Sequence, residues 1–234
     1  MTSWMRSSAF YADNQSMRVA ALLPSSFYKE ANMNIETVTD IAMNFNDPEW
    51  ILEHLSIALQ RTSDENLLKR SCDLDGIEQY LILQGEKDDS CYTVKVVPVI
   101  LANVGIDENQ AWEKALENLS ADTHITSLGK ILADMTGAHY DGLMDPDIKF
   151  HVITNSQKCK GASAIMNRKM LRDFTQNYRT NMLFVLPSSV HEMMIAPYDS
   201  NFKLEDLSAM VKEINETQVA PEERLTDRAY IICL

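Results

Sequence analysis

The segment LFVLPSSVHEMMIAPYD (183–199) constrains the fold more than any other part of the chain. Two apolar runs flank Pro187, Ser188 and Ser189, and Pro and Ser are residues that favour turns. An apolar run bounded by turn residues is typical of a buried strand. The segment therefore predicts two strands joined by a tight turn, and the amphipathic pattern of LEDLSAMVKEIN (204–215) predicts a helix after them.

Apolar periodicity and capping residues predict the other elements. IEQYLILQ (77–84) and YTVKVVPVI (92–100) are β-rich runs around the polar GEKDDS, which predicts a hairpin. WILEHLSIALQ (50–60) fits a helix or a strand, and ASAIM (162–166) is interpreted as a short strand. Asp107 and Asn167 stand where helix N-caps are expected, and Asp47-Pro48-Glu49 opens an element with Pro at a first helical position. The predicted inward residues of two helices are Ala111, Trp112, Ala115, Leu116 and Leu119, and then Leu204, Leu207, Met210, Val211 and Ile214.

Strands and helices do not alternate strictly, which favours an α+β fold over a doubly wound α/β fold. We predict mixed, mainly antiparallel sheets flanked by amphipathic helices. The loop GAHYDGLMDPD (137–147), rich in Gly, Asp and Pro, divides the sequence. The predicted parts are a loosely ordered N-terminus (1–16), an N-terminal α/β subdomain (17–136) that begins with a strand at 17–23, and a C-terminal α+β subdomain (148–234) that carries LPSSVHE.

The chain of 234 residues has a formal net charge of −13. This excess argues against direct nucleic-acid binding, because phosphate contacts need clustered Lys and Arg. Two interpretations remain. The charge keeps the protein in solution, which is the commoner case, or it forms an acidic face that docks on a basic protein partner.

The cysteines and the N-terminus bear on the compartment. The four cysteines are scattered and form no CxxC pair, which indicates reduced thiols and not a zinc site. MTSWMRSSAFYADNQSM lacks the apolar core of a signal peptide. No run approaches the ~20 apolar residues that span a bilayer. We therefore expect a cytoplasmic protein without a membrane partner.

The sequence contains no GxxxxGK[ST], GxGxxG, GxSxG or HExxH motif, so no cofactor or metal is predicted. The strongest catalytic candidates are Ser188 and Ser189 with His191, because a nucleophilic serine needs a nearby base. On a strand, His191 and Glu192 would point to opposite faces, so Glu192 could not readily orient that base. The favoured interpretation is a turn, and a serine-type hydrolase is the alternative.

Acidic residues in three places are candidate binding groups. Two of them follow Pro221, where acids suit the first turn of a helix. Three lie in the loop 137–147, with a spacing that is not that of an EF-hand. The candidates are Glu192, Glu222, Glu223, Asp141, Asp145 and Asp147.

One cysteine has a sequence environment that favours reactivity. Cys159 lies between Lys158 and Lys160, and neighbouring cations lower a thiol pKa. His151 begins the preceding predicted strand and could approach it. The alternatives are a Cys/His pair and a lone surface cysteine, of which the second is the commoner case in proteins.

The C-terminal third carries a resemblance to a known family. LPSSVHEMMIAP, LEDLSAMVKEIN and NETQVAPEERLTDRAY resemble the closing block of the domain-of-unknown-function 5688 family, whose members are common in anaerobic Gram-positive gut bacteria. HVITNSQKCKGASAIM is similar to the strand–loop–strand before that block. The resemblance runs from Met17 to the C-terminus, without the family's "KNNG"-like N-terminal hairpin. It implies a bacterial or mobile-element origin and supplies no reaction, cofactor or catalytic residue.

We expect a non-enzymatic acidic protein that binds a basic partner. An inhibitor or regulator of a nucleic-acid-handling protein, such as a host-defence nuclease, would fit the charge. The alternatives are the serine-type hydrolase and a structural module with no independent activity.

Overall fold

The structure, a computed structural model, describes residues 41–87, 90–137 and 149–234. The segments predicted at 1–16 and 17–23 and the candidate residues Asp141, Asp145 and Asp147 lie outside these ranges. Within them, helices and strands form two antiparallel sheets with helices packed on both. The predicted α+β fold is confirmed.

The first sheet is built around one long strand. Its elements are helix α1 (Pro48–His54) and strands β1 (Leu55–Arg61), β2 (Lys69–Ser71), β3 (Ile77–Lys87) and β4 (Ser90–Lys95). β3 pairs with β1 along one side and with both β2 and β4 along the other, always antiparallel. The β3–β4 pair is the predicted hairpin.

Two apolar runs change secondary structure midway. In WILEHLSIALQ the helix gives way to the strand at Leu55, so each alternative is right for part of the run. Asp47 caps this helix by accepting hydrogen bonds from two N–H groups of its first turn. The predicted strand at 92–100 is wrong beyond Lys95. Pro98 has no N–H for a strand ladder and opens helix α2 (Pro98–Val104).

Helix α3 (Glu108–Ala121) packs on β1 and is capped by Asp107, as predicted. Four of its five predicted inward residues are buried. The fifth, Leu116, is 41% exposed. It follows the buried Ala115, and one residue of helix turns a side chain by about 100°, away from the sheet.

The second sheet contains five strands in the order β5-β6-β8-β7-β9, all antiparallel. It takes its first strand from residues upstream of the 137–147 loop. Its elements, in chain order, are β5 (Thr123–Ser127), α4 (Leu128–Thr136), β6 (His151–Asn155), α5 (Arg168–Gln176), β7 (Met182–Pro187), β8 (Met193–Pro197), α6 (Leu204–Gln218) and β9 (Tyr230–Cys233). α5 is capped by Asn167, as predicted.

The short strand predicted at ASAIM is wrong, because residues Gly161–Met166 form a 3-10 helix. A short run of small apolar residues does not distinguish these two structures. Every residue from Gly161 to Ile165 is buried, so buried and exposed side chains do not alternate as they do in a half-buried strand. The segment packs against β6.

Two layers of apolar side chains cover the two faces of the second sheet. On β7, Leu183 and Val185 point into a core that also contains residues of the first sheet, while Phe184 and Leu186 point toward α6. The inner core is shared by both sheets and includes Leu59, Leu74, Ile77, Ile153, Ile165 and Leu171. The sheets therefore form one packed unit.

Helix α6 covers the outer face of the second sheet through Leu207 and Val211. Met210 was predicted to face inward but is 41% exposed, because it precedes Val211 by one residue and is turned away from the sheet. Asn215, on the same helix, is by contrast fully buried, and its amide donates to Thr226 O at 2.7 Å. Among the described residues, no helix combines the length and apolar character needed to cross a membrane.

A buried carboxylate fixes the loop between β1 and β2. Glu78 on β3 is 8% exposed. Its Oε1 accepts hydrogen bonds from Gln60 Nε2 at 2.8 Å and Ser63 Oγ at 2.9 Å, and Lys69 Nζ lies at 3.2 Å. Burial alone would raise the pKa of Glu78, but the hydrogen bonds from Gln60, Ser63 and Lys69 outweigh it, so the pKa is lowered.

We expect Glu78→Gln to lower the free energy of unfolding by about 1–3 kcal/mol at pH 7, because Lys69 loses its buried partner. The folded pKa is lowered, so the stabilisation is present above the unfolded pKa of about 4.3 and is lost as pH falls through the folded value. Urea unfolding from pH 7 to pH 3 should show the difference shrinking. The exposed variant Glu117→Gln is the control, and a pH-independent deficit would contradict the assignment.

Candidate functional site

The PSSVHE segment forms a longer loop than predicted. β7 ends at Pro187 and β8 begins at Met193, so His191 and Glu192 are loop residues and do not lie on opposite faces of a strand. The loop leaves the sheet because Val190 is buried and its N–H donates to Glu223 O at 2.9 Å.

The imidazole of His191 is engaged at both nitrogens. Its Nδ1 accepts a hydrogen bond from the Lys160 N–H at 3.3 Å. Its Nε2 lies 3.3 Å from Glu223 Oε1. An N–H donor at Nδ1 requires a lone pair there, so this network assigns the proton to Nε2, which donates to Glu223. The His191 carbonyl also accepts from Thr154 Oγ1 at 2.8 Å.

The serines contact other groups. Ser189 Oγ accepts from the His191 backbone N–H at 3.0 Å, and Ser188 Oγ is buried without a hydrogen-bond partner among the described residues. Within this fully described loop, neither hydroxyl is hydrogen-bonded to the imidazole. A nucleophilic serine needs that contact, or a path to it, for activation. Here the loop uses its polar groups to hold His191 between two other segments.

Of the acidic candidates in the described residues, Glu223 contacts the His191 ring, and Glu192 and Glu222 are considered apart from it. Glu223 lies in a 3-10 helix (Pro221–Glu223) and orients His191 across 32 sequence positions, whereas Glu222 is exposed. Glu192 is partly exposed, and its carbonyl accepts from Ser189 N–H. In the described ranges, no group of three His, Cys, Asp or Glu side chains is arranged to hold a metal ion.

His151 does not pair with Cys159. Its ring packs against Phe174 and Tyr178, with centroid distances of 4.8 and 6.1 Å. Burial lowers the pKa of His151. Cys159 lies near Cys91 instead, because Gln84 Nε2 lies 3.7 Å from Cys91 Sγ and donates to Cys159 O at 2.9 Å. The sequence separation of the two cysteines did not suggest this.

A cavity of about 310 Å³ lies between the first sheet, α3 and the start of α5. Its apolar wall is formed by Ile57, Trp112, Leu116 and Met166. Two arginines line it, and Arg70 stacks over the Trp112 ring at 4.7 Å.

The second arginine of this cavity is incompletely paired. One guanidinium nitrogen of Arg168, Nη2, bonds to Asp73. The other, Nη1, is buried and has no hydrogen-bond partner among the described residues. Acids at the rim, Asp73 and Glu113, partly balance the two positive charges.

An acidic and aromatic surface lies at the outer side of α6, and we call it the α6 face. Glu205, Asp206, Glu213 and Glu216 are exposed along the helix, with Lys212 as its one basic residue. At its N-terminal end, Tyr198 and Phe202 are 38% and 39% exposed, and both rings lean on Phe184. Three of the seven large apolar side chains exposed in the described ranges lie within residues 198–210.

Comparison with known protein families gives a match over nearly the whole chain. A family model described as "Family of unknown function (DUF5688)" matches residues 16–232. The chain belongs to the DUF5688 family. The resemblance that the sequence showed is therefore confirmed over nearly the whole chain. No curated protein and no solved structure matches it.

In this DUF5688 protein, the close approach of Gly161 holds the His191 loop against β6. A Cβ at Gly161 would overlap Thr154 Oγ1 and lie 2.7 Å from both Asn155 N and His191 O. Those two atoms belong to the backbone and cannot move aside as a flexible side chain would. The Thr154–His191 hydrogen bond therefore requires glycine at this position.

We expect Gly161→Ala to lower the free energy of unfolding by about 3 kcal/mol through overpacking. Gly105→Ala is the control, since a Cβ there meets nothing within 4 Å and the cost is the positive φ of 69°, about 1 kcal/mol. Urea unfolding measures both. The NMR signals of the His191 ring should shift in the first variant alone, and unchanged signals with parental stability would contradict the packing argument.

Proposed function

We propose that this protein is a non-enzymatic binding protein whose α6 face docks on a basic surface of a protein partner. The observation that carries the proposal is the combination of exposed acids with exposed Tyr198 and Phe202 on that face. Aromatic side chains supply most of the binding energy in many interfaces, and complementary charge steers the encounter.

A partner that handles nucleic acid would carry the matching Lys- and Arg-rich surface. The α6 face would then act as an inhibitor or regulator of that partner by covering its basic site, as expected for a bacterial or mobile-element protein that meets a host-defence nuclease. We propose that this happens in the cytoplasm, where four free thiols stay reduced.

The test compares two double variants with the same change in charge. Asp206→Lys with Glu213→Lys reverses two acids of the α6 face, and Glu117→Lys with Asp134→Lys reverses two exposed acids on α3 and α4. Each is immobilised and exposed to a bacterial lysate at about 50 mM salt. We expect basic proteins to be retained by the parent and the control variant, lost by the α6 variant, and released by about 500 mM salt. Equal retention by both variants, or no salt-sensitive retention, would refute the proposal.

The incompletely paired Arg168 favours a second candidate function, the binding of a small carboxylate with an apolar body. The cavity volume of about 310 Å³ reaches the range of small-molecule sites, which is about 300–1,000 Å³. Arginine binds carboxylates through two parallel N–H donors, and Trp112 with Met166 would cover the apolar body. The acids at the rim disfavour a more highly charged phosphate.

Phenylacetate, with phenylacetamide as the neutral comparison, is the probe for this candidate. We expect it to shift the indole NMR signal of Trp112, while the amide has a weaker effect. Arg168→Gln should raise the Kd for phenylacetate about tenfold or more, since a charge-assisted hydrogen bond is lost. Arg172→Gln, at an exposed position on α5, should leave the Kd unchanged. Absence of a shift at millimolar phenylacetate, or equal Kd values for all three proteins, would exclude this site.

A further inference from the structure

Two of the four cysteines meet where the first sheet faces the second. Cys91 lies on β4, and Cys159 lies in the loop between β6 and the 3-10 helix. Cys91 Sγ lies 3.5 Å from Oε1 of Gln157, which belongs to the same loop as Cys159, and each thiol perturbs the pKa of the other. The amide nitrogen of Gln84, on β3, lies 3.7 Å from Cys91 Sγ and donates to Cys159 O at 2.9 Å. One side chain of the first sheet therefore touches both cysteines.

The loop holds Cys159 in a fixed position. Its N–H donates to Asn155 Oδ1 at 3.1 Å, and its carbonyl accepts from Asn155 Nδ2 at 2.8 Å. Lys158 and Lys160 on either side both take left-handed backbone conformations, with φ of 51° and 52°. Such conformations are costly for residues with a Cβ and persist where the surrounding contacts enforce them. The position of the thiol next to Cys91 is thus set by the backbone.

The two thiols differ in acidity. The neighbouring Cys91 thiol and the charge of Lys160 outweigh burial and lower the pKa of Cys159. The contact with Cys159, together with burial, raises the pKa of Cys91. Cys159 is therefore the more acidic thiol of the pair, and the Cys91 thiol is directed at Gln157 Oε1 at 3.5 Å. Thiolates are the nucleophilic form of cysteine, so attack begins at Cys159.

The other cysteines lack this arrangement. The Cys72 thiol is directed at the carbonyl oxygens of Leu74 and Ile77, and burial raises its pKa. Cys233 is exposed on the edge strand β9. Both serve as internal controls for the reactivity of the pair.

We propose that Cys91 and Cys159 form an oxidation site that takes a hydroperoxide and closes to an intramolecular disulfide. The Cys159 thiolate attacks the O–O bond, forms a sulfenic acid and, with one proton, releases water or an alcohol. The Cys91 thiol then attacks the sulfenic sulfur, forms the S–S bond and releases a second water. Two thiols are oxidised by two electrons, and the peroxide is reduced by two. An external thiol reverses the reaction by exchange.

The disulfide would tie β4 to the loop after β6. A polar cavity of about 200 Å³ lies beside this junction and is lined by side chains of both sheets, including Gln84, Asn155 and Gln157. Gln84 Nε2 donates to Gln157 Oε1 at 3.0 Å across it. Oxidation would fix the separation of these walls covalently, so the peroxide level would control how freely the cavity opens.

The experiment treats the fully reduced protein with a small excess of hydrogen peroxide. We expect two of the four thiols to disappear, peptide mapping to show a Cys91–Cys159 bond, and dithiothreitol to restore all four. The Cys72→Ser with Cys233→Ser double variant should form the same bond, losing both of its two thiols and regaining both with dithiothreitol. The oxidised protein should unfold at a higher urea concentration than the reduced protein.

Single variants test the order of the steps. In Cys91→Ser, the sulfenic acid should persist at Cys159 and be trapped by dimedone. In Cys159→Ser, dimedone labelling of Cys91 should be lower by about tenfold or more, because burial raises the pKa of its thiol. A protein that keeps four thiols, forms only intermolecular bonds through Cys233, or reacts as fast at Cys72 as at Cys159 would overturn the proposal.

Discussion

The apolar core shared by the two sheets is the contact on which the other features depend. Leu59 and Ile77 of the first sheet pack with Ile153 and Leu171 of the second half, and all four are nearly inaccessible to solvent. Burial of apolar area is non-directional, so the position of the sheets is set by which side chains interlock. This packing places the end of β3 over the loop after β6. Cys91 and Cys159, which are distant in sequence, lie at this junction, as do the two cavities.

Polar groups at this junction add the specificity that apolar packing lacks. Asn118 on α3 donates to the carbonyls of Leu52 and Leu55, and Asn167 donates to Ser120 O at 3.2 Å. Each bond satisfies a backbone group where the chain changes direction, and an unsatisfied buried group would cost about 1–3 kcal/mol. The amides thus hold the ends of the helices that carry the cavity walls, as Gly161 and Thr154 hold the His191 loop.

The sequence predicted features that depend on neighbours along the chain. Asp107 and Asn167 cap helices as expected, and the helix expected at Pro48 begins there, because a cap or a helix start depends on residues a few positions apart. Features that depend on long-range packing were missed. The sequence offered Glu192 as the neighbour of His191, whereas the fold brings Glu223 to the ring. It offered His151 as the partner of Cys159, whereas the fold brings Cys91. No spacing rule connects these pairs, since the shared core sets both.

The same packing separates the two sites to which we assign functions, the α6 face and the Cys91–Cys159 pair. Side chains alternate along β7, so Leu183 and Val185 face the shared core while Phe184 and Leu186 support α6. The α6 face is therefore on the outer side of the second sheet, and the Cys91–Cys159 pair is at the junction on its inner side. A disulfide at the junction would restrain the inner side of the second sheet, whereas the α6 face lies on its outer side. Because five hydrogen-bonded strands form a stiff layer, we expect oxidation to change the cavity and the stability while leaving the affinity of the α6 face for a basic partner unchanged.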